Sequence, residues 1–97
     1  MDTKLIESNT AIPAQMRAKI LEIKHRIPVL REFVEQIKPK VSCKYYEHLC
    51  IKMTCIEELD YYIQWHWKSF FELLNELYDE IEKDRETFES LETITLL

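Results

Sequence analysis

Glycine is absent from all 97 residues. At the ordinary usage of ~7%, a chain of this length would carry about seven. Phosphate-cradling loops, dinucleotide fingerprints and nucleophile elbows each need backbone without a Cβ at a fixed point, so those enzyme classes are excluded. Long apolar runs are missing as well. The uncharged stretches are a few residues long against the ~20 that span a bilayer, so no membrane association is expected. The opening Met1–Asp2–Thr3–Lys4 leads into polar sequence and not into the apolar core of a signal peptide. Three cysteines, an odd number without a secretory signal, read as reduced thiols, and the expected location is cytoplasmic.

What remains is a helical pattern. Residues 1–10 show no periodicity and are expected to form a frayed lead-in. Thr10 is the expected N-cap and Pro13 suits a first helical turn, where its missing amide would be unpaired in any case. From there Met16, Ile20, Ile23, Ile27, Leu30, Val34, Ile37 and Val41 are spaced by alternating fours and threes, the signature of one packed seam. Pro28 lies inside the run and removes the bond to the Lys24 carbonyl, which predicts a kink there and not a stop. Pro39 ends the segment.

Between Ser42 and Leu91 there is neither glycine nor proline, and the spacing resumes at Tyr46, Leu49, Met53, Ile56, Asp60, Ile63, Trp67, Phe70, Leu74, Leu77, Ile81, Asp84, Phe88 and Leu91. A single rod of this length would reach about 75 Å and would need a second copy to cover its seam. A break near Gln64–Ser69, where Ser69–Phe70–Phe71–Glu72 matches a capping box, gives three helices of comparable length. Phe33, Cys50, Leu59, Phe71, Leu73 and Tyr78 widen the apolar stripe beyond a two-stranded seam. The fold class is therefore all-α. The preferred arrangement is a three-helix antiparallel bundle with its first helix kinked at Pro28, forming one domain over residues 11–92, with a frayed end at 93–97. The alternative is a helical hairpin with one long second helix, dimerised.

Charge is divided between the halves. Residues 1–52 hold ten Lys/Arg against six Asp/Glu, and residues 53–97 hold three against twelve. With Ile20, Ile27, Val34 and Val41 at the a positions, the e positions are Arg17, Lys24, Arg31 and Lys38, and the g positions include Lys19, Arg26 and Lys40. Like charge on both flanks opposes pairing of this helix with a parallel copy and calls for an acidic neighbour. The acidic half of the same chain is the first candidate. The row Arg17/Lys24/Arg31/Lys38 is the candidate contact for nucleic acid phosphates or for an acidic partner. Glu72, Glu76, Asp79, Glu80, Glu82, Glu86 and Glu89 form an acidic face that is either solvated or a mimic of a nucleic acid backbone.

Metal and catalytic groupings are weak. Cys43, His48, Cys50 and Cys55 have ligand-like spacing, but on a helix His48 and Cys55 point well away from Cys43, and Cys50 is about 10 Å further along the axis. His25, His48 and His66 have no nucleophile beside them at helical spacing. Asp60, alone in the seam, must find a partner or shift its pKa. No metal, no cofactor and no enzymatic activity are expected.

The run Tyr61–Tyr62–Ile63–Gln64–Trp65–His66–Trp67 is the strongest functional feature. Ile63 and Trp67 keep seam phase, while Tyr61, Tyr62 and Trp65 fall on the other side of the helix. Tyrosine and tryptophan dominate binding hot spots because they bury large areas and carry one polar atom each. With His66 and Lys68 at its rim, this surface is expected to bind a protein partner, a second copy included; the alternative is that the chain turns here and the aromatics wrap one end of the core. The expected function is a non-enzymatic helical interaction module, of a make-up suited to a small viral or phage inhibitor or adaptor.

Overall fold

The computed structural model of the chain describes the backbone of residues 9–96 and the side chains of residues 9–91. The described residues are all-helical and contain no strand. Helix α1 spans Ala14–Ile37, a short 3-10 turn covers Lys38–Lys40, and helix α2 spans Cys43–Leu96. Of the expected loose lead-in at 1–10, residues 1–8 lie outside the described residues; at the other end, where fraying is expected over 93–97, the helix instead continues to Leu96.

The start of α1 differs in detail from expectation. Thr10 does not cap it; Pro13 occupies the cap position with extended ψ, and no side chain caps the helix. Asn9 organises the turn before it, since its Oδ1 accepts from the Ala11 amide at 3.1 Å and its carbonyl accepts from the Ile12 amide at 3.2 Å. Asparagine is well suited to this because its short amide can imitate a backbone turn. Ile12 is thereby tucked into the core. The helix runs on through Pro28, which is exposed, and Ile20, Ile23, Leu30, Phe33, Val34 and Ile37 are buried on both sides of it. Seam phase survives the lost hydrogen bond because the proline faces solvent.

Pro39 sits in the 3-10 turn, and the chain restarts at Ser42. The Ser42 hydroxyl accepts from the Tyr45 amide at 3.2 Å and the Ser42 carbonyl from the Tyr46 amide at 3.0 Å, so serine caps α2. Leu49, Met53, Ile56, Asp60 and Ile63 then face inward, as do Leu74, Tyr78 and Ile81 further on.

One residue interrupts α2. His66 takes φ −127° and ψ 39°, outside the helical region, within the segment where the sequence predicts a break. After it the chain doubles back. Lys52 Nζ lies 3.1 Å from a Glu80 carboxylate oxygen, whereas residues this far apart on a straight helix would be separated by about 42 Å. The Tyr45 and Phe33 rings each lie 6.1 Å from that of Phe88. The longest dimension of the molecule is 48 Å. The bounds of the helices match the expected hairpin with a long second helix, and that second helix is bent, not a straight rod.

Leu73 departs from expectation. The sequence pattern groups it with the residues that widen the buried stripe, but it is exposed, because Leu74 and Tyr78 already fill the inward positions around it. Phe33 and Tyr78 are buried, and Cys50, Leu59 and Phe71 pack partly against the core.

Candidate interaction surface

The basic row of α1 is engaged within the chain. Lys24 Nζ lies 2.9 Å from Asp60 Oδ1, with both side chains under a tenth exposed, and it donates to the Asp60 carbonyl at 3.2 Å. Arg31 forms an ion pair with Glu57. The Lys38 ammonium sits 5.3 Å from the centre of the Tyr46 ring, a cation–π contact. Arg17 is half-buried. All three of these contacts lie on the part of α2 before His66. The opposite flank of α1 meets the part after it: Lys19 approaches Asp79 at 3.9 Å, and Arg26 donates through Nε and Nη2 to Glu82 Oε1 at 3.2 and 2.9 Å.

Sequence reasoning had offered the row Arg17/Lys24/Arg31/Lys38 as a phosphate or acidic-partner contact. The geometry corrects this for Lys24, whose charge is enclosed with that of Asp60, and weakens it for Arg31 and Lys38, which already hold internal neighbours. A phosphate ladder needs cations that can reach a backbone in water. Here Asp60 and Glu57 of the acidic half take up Lys24 and Arg31.

Asp60 carries the electrostatic cost of this arrangement. Burial pushes its carboxyl above the usual carboxylate range, and the hydrogen bond and charge of Lys24 oppose that rise without cancelling it. It forms an enclosed ion pair with Lys24. The acidic face is likewise partly used: Asp79, Glu80, Glu82 and Glu89 each pair with a cation, while Glu72, Glu76 and Glu86 are exposed. Cys43, His48, Cys50 and Cys55 lie along one continuous helix, which spreads them around and along its axis. Among the described residues no three His, Cys, Asp or Glu side chains gather into a metal-binding group.

Tyr61, Tyr62 and Trp65 are about half exposed, at 50%, 48% and 55%. They form one contiguous edge-to-face cluster. The Tyr61 ring stands edge-on to Tyr62 at 5.2 Å and edge-on to Trp65 at 5.2 Å, so each ring restricts its neighbour. Their exposure follows from phase: Ile63 and Gln64 occupy the inward positions, and the Gln64 amide donates to the Tyr61 carbonyl at 2.9 Å. Trp67, one residue past the bend, packs partly against the core, so the aromatics of this run divide between inside and outside.

The two rim residues flank the bend. His66 is exposed at the bend and its ring stands edge-on to Phe70 at 5.9 Å. Lys68 is exposed, with its ammonium 5.5 Å from the Trp67 ring centre. Ala11, Trp65, His66, Trp67, Lys68 and Ser69 line a shallow groove beside the cluster. Sequence reasoning missed Ile51, which is 62% exposed. It precedes Tyr62 and Trp65 by eleven and fourteen residues, which places it within about 20–40° of both around the helix. Its signal was an isoleucine lying off the seam.

Comparison with family models, with curated proteins and with solved structures finds no match to this chain. No helix among the described residues is long and apolar enough to cross a membrane.

Proposed function

We propose that this chain is a non-enzymatic interaction module that binds a protein partner through Tyr61, Tyr62 and Trp65. In this reading the two limbs of α2, residues 43–65 and 67–96, act as separate helices, and with α1 they make a three-helix antiparallel bundle. The contacts of Lys52 with Glu80 and of Arg26 with Glu82 support that arrangement, since they tie the far limb to both other helices.

One observation carries the binding proposal. Three large aromatic side chains are held against one another on the outside of a chain that has buried its aliphatic seam almost completely. Apolar area kept in water costs free energy that partner binding recovers, and rings already packed edge-to-face lose little further rotamer freedom when they are covered. A photoreactive side chain at Tyr62 tests this. It is expected to cross-link a bound protein, and Trp65→Ala is expected to abolish that cross-link while shifting the melting temperature by less than about 4 °C. A larger drop in melting temperature with unchanged cross-linking would assign Trp65 to the fold and remove the proposal.

A further inference from the structure

We infer that the occupant of the aromatic face is an α-helix of another protein, with apolar residues at three-four spacing and one Lys or Arg near its middle. The inference rests on the aromatic face being a binding surface and adds the shape and charge of what covers it.

The limb of α2 before His66 carries two rows of side chains. Leu49, Met53, Ile56, Asp60 and Ile63 form the buried one. Ile51, Cys55, Glu58, Tyr62 and Trp65 repeat the same alternation of fours and threes. At 100° per residue these five lie within about 80° of one another, and their mean direction is about 170° from that of the buried row. Ile51, Glu58, Tyr62 and Trp65 are exposed, and Cys55 is half-buried. The outer row has two ends. Toward the start of α2 its line meets Lys44 and Glu47, both exposed, and at the other end the helical backbone is interrupted at His66. From Ile51 to Trp65 it measures about 21 Å, or about four turns of helix.

A helical limb spends its own amides and carbonyls within its turns. An extended segment laid on this face would bury its polar backbone without partners, whereas a helix brings its backbone already paired. Apolar residues at three-four spacing on that helix fit between the side chains of the outer row at a shallow crossing angle.

The partner's charge follows from Glu58, in the middle of the row. The positions three and four residues to either side of it are Thr54, Cys55, Tyr61 and Tyr62, so no cation of its own helix reaches it. Covering Glu58 with apolar residues alone would strip its charge of water without compensation. The buried row holds one carboxylate too, and Asp60 is met at 2.9 Å by Lys24 of the helix packed on it. A Lys or Arg at the matching height of the partner helix does for Glu58 what Lys24 does for Asp60. Within this chain, the face of that composition is the one α1 carries with Ile20, Ile23 and Lys24, and it is already buried against α2. The occupant therefore comes from another protein.

A display library of helical peptides about four turns long, with apolar residues fixed at three-four spacing and the central positions randomised, tests this. Selection on the whole chain is expected to enrich Lys and Arg at the position facing Glu58, and selection on Glu58→Lys to enrich Asp and Glu there. In one selected peptide, replacing the central cation by Glu is expected to weaken binding roughly tenfold, and Glu58→Lys to restore it. The bound peptide is also expected to protect Cys55 from alkylation while Cys43, exposed and outside the row, stays reactive. Peptides that bind with no charge preference opposite Glu58 would overturn the partner chemistry. Failure to select any helical peptide, or a Tyr62 photo-cross-link to an extended segment or to a second copy, would overturn the inference. The photo-cross-linking at Tyr62 decides separately whether the face binds a protein at all.

Discussion

Lys24 is inside this molecule and Trp65 is outside, the reverse of what the solvation of either side chain would choose. The Lys24 side chain is 6% exposed and Trp65 is 55% exposed. The lysine is inside because α1 lies against a limb that offers Asp60 at the matching height, and opposite charges compensate each other where water cannot. The tryptophan is outside because the inward positions near it are filled by Ile63 and Gln64. Charge in this chain is directed inward to hold helices together. In the proposed reading, the apolar area left outside is for a partner.

Removing one member of the buried pair should have the largest effect. Lys24→Met leaves Asp60 enclosed without its counter-charge and is expected to cost about 3–5 kcal/mol in denaturant unfolding. The double variant Lys24→Met with Asp60→Leu is expected to recover most of that loss, because a packed apolar pair can replace a buried ion pair. A double variant no better than the single one would mean that the pair contributes more than mutual compensation.

The pair can also be titrated. Burial raises the Asp60 pKa above its ordinary value, so the folded chain holds that proton more tightly than the unfolded chain does. The stability of the natural protein relative to Asp60→Asn should therefore grow as pH falls through the folded pKa toward the ordinary carboxylate value, and shrink as pH rises through the folded pKa. A trend of the opposite sign would show that Lys24 outweighs burial.

Much of the fold was legible because the spacing of apolar residues constrains it strongly. The seam of α1 and the inward run Leu49, Met53, Ile56 and Ile63 follow from period; the interruption at His66 falls within the expected Gln64–Ser69 segment, but Ser69, the expected cap, lies inside the helix beyond it. The division of charge was legible too, and with it the need for an acidic neighbour. Which cations would be enclosed was not. Lys24 and Arg31 occupy equivalent positions one heptad apart, and only the placement of Asp60 and Glu57 on the facing limb makes one pair buried and the other exposed. The outward position of Tyr61, Tyr62 and Trp65 was readable from phase. Ile51 was passed over because a single off-seam isoleucine is a weak signal, and Leu73 was misplaced because its neighbour Leu74 has the better inward angle.

Smaller effects are expected on the opposite flank. Arg26→Ala removes two charge-assisted hydrogen bonds to Glu82, partly in contact with water, and should cost about 1 kcal/mol. Arg31→Ala, at a more exposed pair, should cost less than about 0.5 kcal/mol. Equal costs at Lys24 and Arg31 would erase the distinction between an enclosed cation and a solvated one.

Smallest of all, for folding, should be Trp65→Ala. The melting temperatures of Lys24→Met and Trp65→Ala, measured side by side, test the division between charge that folds and aromatic surface that binds. The expected result is a fall of more than about 12 °C for the lysine variant and less than about 4 °C for the tryptophan variant. A tryptophan variant that melts as early as the lysine variant would contradict it.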